Sequence, residues 1–387
     1  MKNVLFFLFL IFSLSLSPFP LSGEPCRKNI QHLKGAETIT SADLDMDGNT
    51  DLAYTAWKSK ELGGELWVAW NNGDGTFTPK RVSSSLKWAR DVTVCNLSNS
   101  PLPGLCVSAY KSGHFYFYQT SPRSFRRNVL DARGYGSVTH AVGHLNSDNL
   151  LDIVTAQQRQ KKDEEGHIKI WINMGKNRFL NSNTIYNVKD VSSMQIVRNK
   201  DGLNTILVAH SGIENGPSGA SAYVFREVNF FWPFNFRLTG PINIINTPAP
   251  LGFVTTAYIN NDEVLDYLVG SEERGIWWVD GKNPNEGGII DDRLLGHYFS
   301  VVDDLDGDGV VDVASVSLWP TLEVNIYWQK STGDFVRERV NKGDGGRGIT
   351  ILKDPKGRNK FLAVSSFKAN RVDLYSLKCI LDGKIKR

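Results

Sequence analysis

The chain has 387 residues, of which 41% are hydrophobic and 11% aromatic, and its 44 Lys and Arg against 41 Asp and Glu leave a formal net charge of +3. This apolar content excludes a disordered chain, and so small a charge gives no reason to expect nucleic acid or an anionic membrane as a partner. The 35 glycines and the 10 Trp, 12 Tyr and 20 Phe residues are typical of short strands joined by tight turns, so we expect an all-β fold.

The N-terminus has the layout of a secretory signal peptide. Lys2 precedes an apolar run from Val4 to Leu16, after which Ser, Pro and Gly residues follow. The run is shorter than the roughly 18 apolar residues of a membrane-spanning helix, and no later segment reaches that length. We predict a signal peptide over residues 1–23, with an uncleaved signal anchor as the alternative. The mature protein is then secreted, or periplasmic in a bacterium, with no transmembrane segment.

Four segments align without gaps, each an acidic or amide-rich loop that leads into an apolar run. They are SADLDMDGNTDLAYTA, VGHLNSDNLLDIVTA, AYINNDEVLDYLVGS and DDLDGDGVVDVASVS, and their last acidic positions are Asp51, Asp152, Asp266 and Asp312. The first two intervals between these positions are long enough to hold a second unit each. Weaker units are indeed found around Leu105, Ile206 and Phe361, so the chain contains seven units.

An aromatic strand, a turn and a Phe follow most of these units, as in ELWVAWNNGDGTF and VNIYWQKSTGDF. Seven units of about 50 residues, each rich in antiparallel strands, predict a seven-bladed β-propeller of four-stranded blades. A linear solenoid would use shorter coils, and separate domains of that size would bury too little apolar surface to fold alone. We predict a single propeller domain over residues 26–380.

The chain ends predict how the ring closes. CRKNIQHLKGAETIT resembles FVRERVNKGDGGRGIT, the outer strand of unit six and the start of unit seven, whereas the last unit lacks a fourth strand of its own. We infer that the N-terminal strand completes the last blade and places Cys26 beside Cys379. In an oxidising compartment a disulfide there closes a loop of about 350 residues, which stabilises the fold by about 5 kcal/mol on the chain-entropy argument.

The other two cysteines, Cys95 and Cys106, flank the loop of unit two, which lacks acidic ligands. A local disulfide there would take the place of a metal ion. Free buried thiols are the alternative for both pairs.

Two loops carry the full pattern D-x-D-x-D-G-x-x-D. Alternating carboxylates in a tight turn direct several oxygens at one hard cation, and Ca²⁺ accepts six to eight such ligands. An EF-hand is disfavoured, because no Glu stands at its twelfth position and strand-like sequence follows. The predicted ligands are Asp43, Asp45, Asp47 and Asp51 with the carbonyl of Asn49, and Asp304, Asp306, Asp308 and Asp312 with the carbonyl of Val310.

Two further loops keep only part of the pattern, with His144 and Tyr258 in place of the first Asp. With fewer charges they should bind calcium weakly or not at all. The alternative is an Asx-rich turn that its own backbone satisfies. Their candidate ligands are Asn146, Asp148 and Asp152 in one loop and Asn260, Asp262 and Asp266 in the other.

The acidic loops and the GDGTF hairpin resemble the FG-GAP or VCBS repeats of integrin-α-type seven-bladed propellers. The resemblance covers nearly the whole mature chain: two loops match the family pattern fully, two partly, and three have lost it. It implies structural calcium ions. Such repeats occur in adhesion proteins, lectins, and some polysaccharide lyases and sugar dehydratases, so the resemblance does not choose one function.

Candidate ligand-binding residues lie just ahead of first strands, where loops of different blades meet on one face of a propeller. They are Trp88, Arg90, Arg133, Tyr135 and Arg347. The guanidinium groups would suit an anionic ligand such as an acidic sugar, and solvated arginines at unrelated heights are the alternative. An aromatic segment around Trp232 is a second candidate for stacking or docking, against ordinary packing between blades.

No nucleophile elbow, phosphate-binding glycine loop or H-E-x-x-H motif is present in the sequence. We therefore favour a secreted, calcium-stabilised propeller that binds a glycan or an extracellular protein without catalysis, as in adhesion or carbohydrate binding. A carbohydrate-active lyase or dehydratase is the first alternative, since a propeller enzyme assembles its site from distant blades. A structural or assembly subunit is the second.

Overall fold

The computed structural model describes residues 26–385, apart from 60–62, 99, 133–135, 159–165, 199–203, 214–216, 230–234, 248, 261, 294 and 344. The side chains of 58–59, 213, 226–229, 235–236 and 384–385 are also outside the description. The predicted signal peptide and the aromatic segment around Trp232 therefore lie outside the described residues.

The described chain forms seven four-stranded sheets in which neighbouring strands are antiparallel. Blade 1 contains β2 (Ala36–Ala42), β3 (Asp51–Ser59), β4 (Gly63–Asn71) and β5 (Phe77–Leu86). Blade 2 contains β6 (Ala89–Cys95), β7 (Gly104–Ala109), β8 (Gly113–Ser121) and β9 (Ser124–Asp131). Blade 3 contains β10 (Ser137–Gly143), β11 (Asp152–Gln157), β12 (His167–Asn173) and β13 (Phe179–Tyr186).

The remaining blades repeat the order. Blade 4 contains β15 (Ser193–Arg198), β16 (Asn204–His210), β18 (Ser218–Asn229) and β19 (Asn235–Thr247), with a small accessory pair β14 (Val188–Lys189) and β17 (Gly212–Ile213). Blade 5 contains β20 (Leu251–Ala257), β21 (Asp266–Ser271), β22 (Gly275–Val279) and β23 (Gly287–Asp291). Blade 6 contains β24 (His297–Asp303), β25 (Asp312–Ser317), β26 (Glu323–Gln329) and β27 (Phe335–Lys342).

The last blade joins the two ends of the chain. It contains β28 (Gly348–Lys353), β29 (Asn359–Ser366) and β30 (Arg371–Ser376), and its outer strand is β1 (Arg27–His32). Helix α1 (Leu377–Ile385) follows β30, and Cys26 is bonded to Cys379 in its first turn. The predictions of seven blades, of the closing N-terminal strand and of this disulfide are confirmed.

Antiparallel strands give the propeller two distinct faces. We call "loop face" the side that carries the loops between first and second strands and the hairpins between third and fourth strands. We call "mouth face" the opposite side, where the chain enters the first strand of each blade. The acidic loops 43–50 and 304–311 thus lie on the loop face, as do both disulfides.

The apolar core lies between neighbouring blades. One cluster combines Leu66 and Val68 of blade 1 with Val107 and Phe117 of blade 2, all at most 3% exposed. A blade therefore buries its faces against its neighbours, as a propeller requires. No helix within the described ranges is long and apolar enough to span a membrane.

Candidate functional site

The two complete acidic loops bring carboxylate oxygens together. In blade 1, Asp43, Asp45 and Asp51 each offer one oxygen, and these oxygens lie within 4.8 Å of one another. Backbone amides hold the loop in shape: Gly48 N donates to Asp43 Oδ2 at 2.9 Å and Asn49 N donates to Asp47 Oδ1 at 2.8 Å. The predicted ligand Asp47 is exposed at the tip of this turn.

The blade 6 loop has nearly the same geometry. Asp304, Asp306 and Asp312 form a second group of converging oxygens. Gly309 N donates to Asp304 Oδ2 at 2.9 Å, and Val310 N donates to Asp308 Oδ1 at 2.8 Å. Within the described chain these two groups are the clusters of three or more metal-ligating side chains, and they coincide with the two loops that match the full sequence pattern.

The last Asp of the four acidic or amide-rich loops has a structural role that the sequence did not indicate. Asp312 is buried, and its two oxygens accept hydrogen bonds from Leu305 N at 3.0 Å and Gln329 N at 2.9 Å. Asp51, Asp152 and Asp266 make the equivalent pairs of backbone bonds. Each carboxylate therefore ties its loop to the end of the third strand of its own blade.

Burial disfavours the ionised form of these carboxylates. It raises the pKa of Asp51 to about 7 and those of Asp152 and Asp312 to about 6. Backbone hydrogen bonds lower the pKa, but by less than burial raises it. A cation bound beside such a carboxylate would favour its ionised form.

The two incomplete loops close on themselves. Asn146 Nδ2 donates to Asp148 Oδ2 at 3.0 Å and Leu150 N to Asp148 Oδ1 at 2.9 Å. In blade 5, Asp262 N donates to Asn260 Oδ1 at 3.1 Å. These contacts are those of an Asx-rich turn.

In blade 2, a disulfide links the two strands that flank the corresponding loop, between the first and second strands. Cys95 at the end of β6 is bonded to Cys106 in β7, with a Cα–Cα distance of 6.0 Å. The predicted second disulfide is confirmed. A neighbouring contact compensates for the lost acidic residues, because the buried Tyr116 hydroxyl accepts a hydrogen bond from Ser98 N at 3.0 Å.

Amide side chains that the sequence analysis missed connect each loop to the next blade. Their donors reach the carbonyl of a buried Leu or Ile in the preceding loop, at 2.6–3.0 Å. The pairs are Gln119 with Leu44, Asn173 with Leu97, Asn204 with Leu145, and Gln329 with Ile259. Gln119, Asn173 and Gln329 lie near the end of a third strand, whereas Asn204 begins the second strand of blade 4. The four amides therefore share no single sequence position, and each acceptor lies in another unit.

The mouth face opens into a central cavity of about 480 Å³. The start of the first strand of every blade contributes to its wall, so the cavity is the mouth-side half of the propeller channel. Its lining contains Glu37, Arg90, Asp91, His140, Tyr298 and Arg347 together with many Ser and Thr residues. The structure thus brings two of the predicted ligand residues, Arg90 and Arg347, onto one cavity.

Arg347 is fixed in place from three sides. Its Nη1 donates to Glu37 Oε2 at 3.1 Å, and its guanidinium lies over the rings of Tyr298 and Phe367, at 5.1 and 4.9 Å from their centroids. Burial raises the pKa of the Glu37 carboxyl above its usual range, while Arg347 and Arg90 pull it down. Arg90 lies nearby and donates from Nη2 to the Tyr298 hydroxyl at 3.2 Å.

Trp88 belongs to an aromatic row beside the cavity and does not line it. Trp57 stacks on Phe367 at 5.9 Å and contacts Trp88 edge-on at 5.6 Å, while Trp88 stacks on Tyr110 at 5.4 Å between ring centroids. The row runs from blade 7 through blade 1 into blade 2. The other predicted ligand residues, Arg133, Tyr135 and Trp232, lie outside the described residues.

Buried histidines also cluster near the mouth face. Ser108 Oγ lies 2.9 Å from His114 Nδ1 and 2.8 Å from His140 Nδ1, and His297 Nδ1 lies 3.0 Å from Ser315 Oγ. Burial lowers the pKa of His114 to about 3 and that of His297 to about 4. Burial thus favours the neutral form of His114 and His297. Of the three histidines, His140 lines the cavity, whereas His114 and His297 are buried behind its wall.

Comparison with known proteins supports the fold and no narrower assignment. No protein-family model matches the chain, and no curated protein matches it either. Similar solved structures include two crystals of BBS1N in complex with ARL6DN, one soaked with mercury and one with lead. They are 14% and 13% identical to this chain, with TM-scores of 0.58 and 0.57, and the alignments cover 91% of this chain and 95% of each BBS1N chain. The chain is a seven-bladed β-propeller.

Proposed function

We propose that this propeller is a secreted, calcium-stabilised binding module of the FG-GAP or VCBS type, which holds a glycan or an extracellular protein at the mouth-face cavity without catalysing a reaction. One observation carries the proposal: residues from all seven blades converge on a cavity of about 480 Å³ that holds two guanidinium groups beside a row of aromatic rings. That volume is typical of ligand sites. A propeller of this fold crystallised with a protein partner, BBS1N with ARL6DN, gives further support.

The calcium part of the proposal rests on the two complete loops. In each loop, three carboxylate oxygens lie within 4.8 Å of one another, which fits the preference of Ca²⁺ for oxygen ligands. The proposed ligands are those predicted from the sequence, one ion in each loop. Calcium would neutralise the clustered charge and fix the loop against the third strand.

Thermal unfolding with calcium and with EDTA tests this part. We expect a lower melting temperature in EDTA, because an ion that binds only the folded chain stabilises it by mass action. Asp45→Ala and Asp306→Ala should each remove part of the calcium effect, whereas Asp148→Ala in an incomplete loop should not. A melting temperature that is the same in calcium and in EDTA would overturn the role of calcium.

A glycan array, run with calcium and with EDTA, tests the binding function. We expect binding to a restricted set of glycans, competed by the soluble sugar and weakened by substitutions at the cavity. No binding on the array, together with no protein captured by the cavity in cross-linking from extracellular extracts, would leave only a structural or assembly role.

A second candidate function is a carbohydrate-active lyase or dehydratase. One observation favours it: Glu37, His140, Tyr298 and the two arginines lie on the same cavity wall, and such groups are able to move protons and stabilise a developing anion. Incubation with acidic polysaccharides, followed by ultraviolet absorbance of unsaturated sugar products and by chromatography, distinguishes the two. A growing product signal that depends on Tyr298 would replace the binding module with the enzyme.

A further inference from the structure

We infer that the ligand of the mouth-face cavity is a uronic acid sugar, whose carboxylate is held by Arg90 and Arg347 and whose hydroxyl groups contact the polar wall. The inference rests on the proposed function, since it starts from binding at this cavity. It narrows the ligand from any glycan or protein to one chemical class.

Arg90 has no anionic partner of its own. Its guanidinium is only partly exposed, and its one hydrogen bond goes to the neutral Tyr298 hydroxyl at 3.2 Å. No carboxylate in the described part of the chain forms an ion pair with it, and Glu37 acts on it electrostatically from a longer distance. Burial opposes the charged form of Arg90, but nearby groups that include Glu37 outweigh it and raise the pKa, so the cation is kept. A ligand carboxylate at this position would add the direct ion pair that the described residues do not form with Arg90.

Arg347 lines the same cavity and has a donor without a partner in the described structure. One edge is bonded to Glu37, whereas Nε is buried and has no acceptor among the described residues. The rings of Tyr298 and Phe367 prevent the guanidinium from swinging away. A planar guanidinium with donors fixed in this way matches a planar carboxylate better than a single spherical anion.

The cavity is lined by basic and acidic residues. Arg347 enters blade 7 and Arg90 enters blade 2, and the carboxylates on their side are Glu37, which is bonded to Arg347, and Asp91. On the opposite side of the ring, at blades 4 and 5, the charged lining residues are the acidic Asp190 and Glu272. The arginine side is therefore the less acidic one, and a ligand with one carboxylate would be oriented toward it.

The rest of the wall suits a hydroxylated ring. Ser300 Oγ and Gln195 Oε1 line the cavity and are buried without a hydrogen-bond partner in the described structure. Buried polar atoms of folded proteins nearly always have a partner. Further hydroxyls come from several first strands, at Thr40, Thr93, Thr255 and Thr350. Hydroxyl and amide groups distributed around the cavity wall favour a sugar over a peptide with an apolar side chain.

Binding of a uronic acid oligosaccharide beside its uncharged counterpart tests the inference. We would titrate the full chain with oligogalacturonate and with a glucuronate-containing oligosaccharide, each next to its methyl ester, by calorimetry at low ionic strength. At least one acid should bind, and its ester should bind at least about tenfold more weakly, because a charge-assisted hydrogen bond is lost. Arg90→Gln should weaken the acid by a similar factor.

Matched variants separate binding from folding. Arg126→Gln removes an exposed outer-strand arginine and should change nothing. The double variant Glu37→Gln with Arg347→Gln removes the ion pair without leaving a buried charge, and it should also weaken the acid at least about tenfold. Melting temperatures close to that of the unaltered chain show that the variants are folded.

The other possible results distinguish failure of the carboxylate inference from failure of the proposed function. An ester that binds as tightly as its acid, or an unaffected Arg90→Gln, overturns the carboxylate inference. Binding of a neutral glycan or a protein at the cavity, with no binding of either acid, overturns it as well but leaves the proposed function in place. No ligand at the cavity removes both. Cleavage of the acid would support the ligand class and overturn the non-catalytic assignment.

Discussion

The loop face and the mouth face use polar residues for different purposes. On the loop face, both carboxylate oxygens of Asp51 and of Asp312 accept hydrogen bonds from backbone amides of their own blade, and amides such as Gln329 reach the preceding blade. One disulfide there closes the ring, and a second cross-links two strands of blade 2. On the mouth face, Arg90 donates to the Tyr298 hydroxyl and forms no ion pair with a carboxylate of the described residues. The loop face thus holds the propeller together, and the contrast agrees with the proposal that the mouth face binds another molecule.

The largest expected effect is on the closing disulfide of the loop face. Cys26→Ser with Cys379→Ser opens a sequence separation of 353 residues, which lowers the free energy of unfolding by about 5 kcal/mol on the chain-entropy argument. Cys95→Ser with Cys106→Ser opens a separation of only 11 residues and should cost about 3 kcal/mol. Denaturant unfolding of both double variants without reductant measures the two losses, and an equal or reversed order would contradict the prediction.

The next effect concerns the structural role of the recurring Asp. Asp312→Ala leaves Leu305 N and Gln329 N without acceptors, at about 1–3 kcal/mol for each buried group. Asp308→Ala removes an exposed loop carboxylate that accepts only Val310 N. We expect Asp312→Ala to lower the melting temperature both in calcium and in EDTA, and Asp308→Ala to do so mainly in calcium. If the two variants behaved alike in EDTA, Asp312 would be a metal ligand and nothing more.

A smaller effect is expected from acid at His297, on the mouth face. Burial lowers the pKa of His297 to about 4, below the value of about 6.5 of an unfolded chain. The unfolded chain therefore binds more protons between these values, so the stability contributed by neutral His297 is complete above pH 6.5 and is lost as the pH falls toward 4. The slope is about 1 kcal/mol per pH unit.

His297→Gln keeps a polar side chain that does not titrate, so its melting temperature should fall less steeply from pH 6.5 to 5.5 than that of the unaltered chain. His144→Gln, at an exposed position on the loop face, is the control and should leave the slope unchanged. Parallel pH profiles for His297→Gln and the unaltered chain would show that His297 is not the titrating group.

The smallest expected effect on stability is at Trp319, which is 75% exposed on the mouth face. Trp319→Ala should change the free energy of unfolding by no more than about 0.5 kcal/mol. If the mouth face binds long glycans, the same variant should weaken an oligosaccharide more than a monosaccharide. Ile289→Ala, which removes a 63% exposed residue from the outer strand of blade 5, should weaken neither. If both variants lost the same oligosaccharide affinity, Trp319 would not be part of the binding surface.

The repeat pattern predicted most of the fold, because acidic loops and aromatic strands recur in register along the chain. The acidic loops indicated the connection between the first and second strands of four blades, and the similarity of the N-terminal stretch to an outer strand indicated how the ring closes. Arg90 and Arg347 were also predicted, since residues just ahead of first strands must share one face.

Other parts depend on contacts between units and leave no local pattern. Gln119 donates to Leu44, 75 residues earlier in the chain, and nothing around Gln119 marks that partner. In the sequence, nothing distinguishes Glu37 from an ordinary strand residue. Closure of the ring places it beside Arg347, 310 residues away. The orientation of each first strand likewise determines which hydroxyls line the cavity, and a single sequence does not contain it.

The closure of the last blade by β1 has a consequence for the order of folding. The ribosome makes β1 first, yet its partner β30 is made almost last, so β1 is an unpaired strand with a free thiol during nearly all of synthesis. Both Cys95 and Cys106 are available once blade 2 has been synthesised, whereas Cys26 has no access to Cys379 until nearly the whole propeller has been made. Strand β1 is therefore synthesised before the other strands of the propeller but pairs last, and this pairing requires that all seven blades are present.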